Sequence, residues 1–176
     1  DKGIFLSCGG ATEFEIFKAL QILHSSNENR QIVLMHGFQN FPTSKEETNL
    51  NRLRTLSQKF MQPVGFMDHI DAEDKLAHIL PLLAVAAGSC VIEKHITMDR
   101  SLKGIDYYSS LEPQEMVSLV KQIRDIQKVL GSSDIIFGSE ESLYRKKMKK
   151  HLVASSPISK GQVITNKDVT YKRAEC

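Results

Sequence analysis

The chain has 176 residues, enough for one domain with a sizeable core and a short appendage. It is 41% hydrophobic and 25% charged, and its formal net charge of +2 is too small to imply a nucleic-acid or membrane partner. Three cysteines, Cys8, Cys90 and Cys176, have no short spacing; this excludes a disulfide framework or zinc ribbon and fits a reducing, cytoplasmic compartment.

In chain order, the first expected strand is the apolar run Gly3–Ser7, and Thr12 with Glu15 three residues on caps a helix running to about His24. A second strand is expected over Gln31–Met35, with a helix from about Asn49 to Phe60. A third strand over Pro63–Met67 is followed by a helix from about Glu73 to Ala87. The longest apolar stretch, Ile79 to Ala87, is too short to span a bilayer, and no signal-peptide pattern is visible at the start of the sequence. The fourth strand is Cys90–His95, and its helix runs from about Glu112 to Leu130, with Pro113 at the first helical position and Gly131 just past the end. After a linker over about Ser132–Lys149 come two strand-like runs, His151–Ser155 and Asp168–Lys172, around a glycine turn. The basic run Arg145–Lys150 reads as a solvated helix end or linker.

Strands alternating with helices in this way predict parallel βαβ units. Strand ends fall near Ser7, Gly37, His69 and His95, and intervals of roughly 25 to 35 residues each fit one βα unit. Polar residues and glycines cluster just after each strand, where ligands bind in parallel α/β folds. Four units make either an open four-stranded sheet or a piece of something larger, and the abrupt start favours the piece.

His69 and His95 end adjacent strands, about 4.8 Å apart. Period-2 alternation sets Gly65, Met67 and His69 on one face, and Val91, Glu93 and His95 on one face. Two histidines with positions left open for water and substrate suit Mn²⁺ or a similar ion; two hydrogen-bonded strand-end histidines are the alternative. Asp68, Asp99 and Asp106 follow in the same loops, where aspartate is also common for turn reasons. Ser7 before Gly9-Gly10 presents a hydroxyl and N–H groups to an anion, or is merely a turn. Cys8 reads as a small buried residue.

Several runs resemble consecutive motifs of the sialic acid synthase family: Gly65-Phe-Met-Asp-His69, Val91-Ile-Glu-Lys-His95-Ile-Thr, Met98-Asp-Arg, Gly104-Ile-Asp106 and Ser110-Leu-Glu-Pro113. Leu6-Ser7-Cys-Gly-Gly-Ala-Thr and His36-Gly-Phe-Gln-Asn-Phe-Pro-Thr43 are similar to the two preceding motifs. The tail, Leu152-Val-Ala-Ser through Val169-Thr-Tyr-Lys-Arg173, resembles the start of the family's antifreeze-like (SAF) domain.

The resemblance implies an α/β fold: residues 1–131 as the C-terminal half, strands five to eight, of a (β/α)₈ TIM barrel, residues 132–149 as linker, and residues 150–176 as the start of a small β-rich SAF domain swapped across a homodimer. It implies a transferase that condenses phosphoenolpyruvate with an N-acetylated amino sugar such as N-acetylmannosamine, releasing phosphate. It implies His69 and His95 as ligands of a divalent metal, Mn²⁺ foremost with Mg²⁺ or Co²⁺ as alternatives. Asp106 and Glu93 are the implied catalytic residues. Ser7, Gln39 and Phe41 fall at implied substrate-binding positions, and Arg173 reaches the sugar's N-acetyl group in the partner subunit. Three departures stand out: Met67 where the family commonly has serine, Gln39 where it has asparagine or serine, and Phe41 where it has tyrosine. Alternative readings are another phosphoenolpyruvate-dependent aldol synthase, or a non-catalytic sugar-binding or dimerising barrel fragment.

Overall fold

The computed structural model describes residues 2–26, 29–38, 40 and 42–173. The chain divides into two compact units, Asp1–Gly131 and Ser132–Cys176.

The first unit alternates strand and helix: β1 (Ile4–Ser7), α1 (Glu13–Ser26), β2 (Ile32–His36), the short α2 (Lys45–Thr48), α3 (Asn51–Phe60), β3 (Val64–Asp68), α4 (Leu80–Ala86), β4 (Ser89–Lys94) and α5 (Pro113–Leu130). The four strands form one parallel sheet in the order β1-β2-β3-β4. Even-numbered residues lie opposite one another across the sheet, Ile4 to Ile32, Leu34 to Val64, Phe66 to Ile92. They point into the main core, where they meet Ile16 and Leu20 of α1, Leu53 of α3 and Ala84 of α4. Burying such apolar surface contributes roughly 25 cal/mol per Å², and the helices amass on this one face because their apolar stripes need it. The odd-numbered face carries Phe5, 65% exposed, and Glu93. A (β/α)₈ barrel is an expectation to which these four strands add a parallel, sequential sheet.

Local chemistry sets the helix ends. Thr12 and Glu15 exchange hydrogen bonds, the Thr12 N–H to Glu15 at 2.7 Å and the Glu15 N–H to Thr12 at 3.3 Å. Helix α5 opens with Pro113 in its first turn behind a second such box, made by Glu112 and Glu115. The single helix expected over 73–87 is corrected: a 3₁₀ turn, Lys75–His78, precedes α4. Pro81 is the cause. It sits in the first turn of α4, where its missing N–H is harmless; deeper in a continuous helix its ring would strike the Ala77 carbonyl.

The long connection from β4 to α5 is pinned by Arg100. Its guanidinium makes a two-pronged pair with Glu115, one bond at 2.8 Å, and reaches the Ser110 carbonyl at 3.2 Å; its backbone N–H donates to Glu112 at 3.0 Å. Loop tips also interlock through glycines. A Cβ on Gly9 would lie 2.4 Å from the Gly37 carbonyl oxygen, and one on Gly37 2.2 Å from the Met67 carbonyl oxygen. Gly37 also has φ +136°, which side chains rarely adopt.

In the second unit, the segment 132–149 contains a helix, α6 (Ser139–Met148). Its basic C-terminal turn, Arg145 to Lys147, is exposed and complements the helix dipole. Strands β5 (Lys150–Ala154) and β6 (Val169–Arg173) pair antiparallel, from Lys150 opposite Arg173 to Ala154 opposite Val169. No helix among the described residues is long and apolar enough to cross a membrane.

Two outcomes follow from this packing. Gly37→Ala should lower unfolding free energy by about 2–3 kcal/mol in urea titrations, since both conformation and the Met67 carbonyl oppose a Cβ; a loss under about 0.5 kcal/mol would mean the loops yield freely. The Arg100 hydrogen bonds pull the Glu115 carboxyl from its ordinary 4.5 down to about 2. Because the folded value lies below the unfolded one, the stabilisation is complete above about pH 4.5 and is lost as pH falls toward 2. The stability gap between the wild type and Glu115→Gln should therefore be level from pH 5 to 8 and shrink below 4.5; a gap independent of pH down to about 3 would rule out this origin.

Candidate active site

Both candidate ligands stand one residue beyond a strand, His69 after β3 and His95 after β4. Strand register carries them there. Met67 faces Glu93 and Asp68 faces Lys94, so the next step of the alternation sets the two imidazoles together on the odd-numbered face. Their ring centres are 5.1 Å apart, tilted by 55°. Behind them, on the opposite face, the preceding pair forms a salt bridge: Lys94 Nζ lies 3.0 Å from Asp68 Oδ2, with side chains only 2% and 1% exposed. Asp68 Oδ1 also accepts from the Ile70 N–H at 3.1 Å, closing a turn around His69. Burial pushes the Asp68 carboxyl up, opposed by Lys94 and that N–H.

The His69 backbone carbonyl accepts from the Thr43 N–H at 2.9 Å and the Ser109 hydroxyl at 2.8 Å. Ser109 is fully buried. Burial first, then the neighbouring His95 and Lys94, push the His69 imidazole down to about 4. It is therefore neutral near pH 7, the state in which imidazole binds a metal.

Asp106 completes the group. Its Oδ2 lies 3.7 Å from His95 Nδ1, and both side chains are 30% exposed. Its backbone is left-handed, φ +58°, a region that aspartate tolerates better than most residues. The Ser109 N–H and the Ser110 hydroxyl hold its carbonyl at 3.1 and 2.9 Å. A cleft of about 520 Å³ opens between the loops following β3 and β4, lined by Asp71, Glu73, Asp99, Arg100 and Tyr107 among others.

His69, His95 and Asp106 are thus brought together. Glu93 shares their face, exposed and two residues before His95. Ser7 shares the face too, but on the outermost strand, opposite Met35. Arg173 is exposed at the end of β6 in the second unit. Gln39 and Phe41 lie outside the described residues. Cys8 is half-buried, its thiol pushed up to about 11 by burial, which leaves it unreactive. Sequence reasoning missed Lys94, Thr43 and Ser109. Lys94 had a signal: it precedes one histidine as Asp68 precedes the other, so the alternation that pairs the histidines pairs these charges.

Among the described residues, no group of three or more histidine, cysteine, aspartate or glutamate side chains is disposed to hold a metal. The spacing of the two rings is nevertheless the one expected of two histidines sharing an ion. A nitrogen ligand about 2.1 Å from an ion places its ring centre about 3.2 Å away, so two rings at 90–110° stand about 4.6–5.3 Å apart. The 5.1 Å observed falls inside that interval.

Comparison with known proteins gives this geometry a context. The NeuB family model matches residues 1–134. An N,N′-diacetyllegionaminic acid synthase from Campylobacter jejuni is 39% identical over 174 residues, covering 98% of this chain and 51% of the relative. The human N-acetylneuraminate-9-phosphate synthase is 33% identical over 136 residues, 77% of this chain and 36% of the relative. Among solved structures, the N-acetylneuraminic acid (sialic acid) synthetase of Leptospira borgpetersenii, in complex with citrate, superposes with a TM-score of 0.70 at 35% identity, covering 83% of this chain and 50% of that one. The chain spans about half the length of these fuller matches. With the family model covering three quarters of the sequence, the chain belongs to the NeuB family, that of the sialic acid synthases.

Proposed function

We propose that this chain carries the metal-binding half of the active site of a nonulosonic acid synthase, which condenses phosphoenolpyruvate with an N-acetylated amino sugar. The facing pair His69 and His95 carries the reading: 5.1 Å between rings, His69 held neutral, and the Asp106 carboxylate at hand. Family membership supports it, since relatives are named as synthases of legionaminic acid and N-acetylneuraminate 9-phosphate.

In the proposed reaction, the methylene carbon of phosphoenolpyruvate bonds to the aldehyde carbon of the open-chain sugar. Water adds at the former enol-phosphate carbon, and that carbon's bond to the phosphate oxygen breaks to release inorganic phosphate. A divalent ion, Mn²⁺ foremost and Mg²⁺ or Co²⁺ as alternatives, supplies Lewis-acid polarisation of the aldehyde when bound. His69 and His95 offer it neutral nitrogen donors. Asp106, on the exposed side of His95, orients that imidazole or accepts a sugar hydroxyl. Glu93, on the same face and open to solvent, is placed to move a proton at the reacting oxygen or water. Ser7, at the end of β1, donates its hydroxyl toward phosphoenolpyruvate. Met67 offers no such donor, so the phosphate relies on other groups. Arg173 donates to the acceptor's N-acetyl carbonyl from the partner in a homodimer.

In the complete protein, His69→Ala or His95→Ala should cut Mn²⁺-dependent phosphate release from phosphoenolpyruvate and N-acetylmannosamine, or a related amino sugar, by on the order of 100-fold or more, with circular dichroism unchanged. A folded variant that retains wild-type rate and metal dependence would refute the ligand assignment. An equimolar mixture of Arg173→Ala and His95→Ala subunits, randomly reassociated so that about half the dimers are mixed, should regain about one working site in four if Arg173 acts in trans; no recovery despite confirmed mixing would place it in its own subunit's site or none.

A further inference from the structure

We propose that the buried Asp68–Lys94 salt bridge is a positioning device, fixing the ends of β3 and β4 so that His69 and His95 face each other; its value for metal binding rests on the reading just given, its effect on the rings does not. Each member immediately precedes one histidine, and the two are direct neighbours across the strand pair. Their contact is 3.0 Å, with side chains 1% and 2% exposed. Stability alone does not account for such a pair. Two charges taken out of water lose hydration that their attraction barely restores, and apolar replacements of similar volume are often as stable or more so.

Geometry is what the pair adds over an apolar contact. Apolar side chains slide past one another with little change in energy, whereas a charged hydrogen bond fixes distance and direction. The register of β3 against β4 already shifts between Val64 and Gly65, so alignment at the far end needs its own restraint. Asp68 supplies it twice: Oδ2 holds Lys94, and Oδ1 holds the Ile70 N–H at 3.1 Å, gripping the backbone on both sides of His69. Slippage by one residue would send one imidazole into the helix-facing core.

The decisive variant is the double replacement Asp68→Leu with Lys94→Met in the complete protein, beside Lys94→Arg as the conservative change. Removing both charges together leaves no orphaned ion, and only the Ile70 N–H loses its acceptor, so the fold is expected to survive with a melting temperature near or a few degrees below wild type. Two measurements then judge the pair. With ε1-¹³C-histidine labelling and no metal present, the nuclear Overhauser contact between the His69 and His95 rings should be strong in wild type, weakened at least threefold in the double variant and largely restored in Lys94→Arg. Mn²⁺ titrations should show affinity falling about 10- to 100-fold in the double variant, as for other groups that orient metal ligands. A folded double variant with the ring contact intact overturns the proposal. So does a double variant that cannot fold while Lys94→Arg, folded, keeps the contact and Asp68→Asn, also folded, keeps it too. Wild type that shows the ring contact but binds no Mn²⁺ would sink the metal reading and leave the contact measurement to decide on the pair.

Discussion

The alignment of β3 with β4 is the constraint on which the rest of this site depends. One register produces two consequences on two faces. On the helix side, Asp68 meets Lys94 in a dry salt bridge; on the other, His69 meets His95 at 5.1 Å. Period-2 alternation makes these inseparable, because a strand cannot present one pair correctly while misplacing the other. The electrostatics are joined as well. The Lys94 charge helps keep His69 neutral, together with burial and His95, so the same lysine that aligns the strands favours the form of imidazole able to donate a lone pair.

Around this alignment the loops act as a frame rather than as flexible connections. Gly9 lies against Gly37 and Gly37 against Met67, so the tips following β1 and β2 are stacked toward the end of β3 without room for a methyl group. From the other side, Ser109 ties the His69 carbonyl, and its neighbour Ser110 ties Asp106. Arg100 in turn anchors that loop to the first turn of α5 through Glu112 and Glu115. A carboxylate held 3.7 Å from a histidine by an exposed loop would wander; here its backbone carbonyl, at the start of a single 3₁₀ turn, is bonded to two buried serines at the turn's far end.

Much of this was legible from residues alone, for physical reasons. Short β-branched and apolar runs such as Gln31–Met35 can be little other than buried parallel strands, and the observed Ile32–His36 departs by one residue. The histidine pair was readable because both residues end such runs. What escaped reading depends on tertiary proximity. Ser109 is an ordinary loop serine until folding brings it under the His69 carbonyl, forty positions away. Asp68 looks like a loop aspartate unless the register with Lys94 is known, and register is a property of two strands rather than of one. Pro81 lies within an apolar run whose length suggests one helix, and it sets the start of α4 inside that run. The Tyr107–Ser109 turn had no periodicity to betray it.

The arrangement also bears on how one family serves several acceptors. Relatives of this chain are named for legionaminic acid and for N-acetylneuraminate 9-phosphate, products that differ in their substituents. On the proposed reading, His69 and His95 would hold an ion that supplies Lewis-acid polarisation to the aldehyde all open-chain acceptors share, so this half of the site has little means of telling them apart. Discrimination requires contacts to the variable substituents, where a missing hydrogen bond leaves a buried polar group unpaired and is strongly penalised. Asp106 is the member of the cluster best placed to contribute, since it is partly exposed and carried on a loop rather than on the sheet. A strand pair locked by a buried salt bridge resists change, whereas a loop tied down at its serines can vary the side chains between its anchors. On that reading the division is physical: the rigid sheet end would carry the shared chemistry, and the anchored loop would carry the contacts that tell acceptors apart.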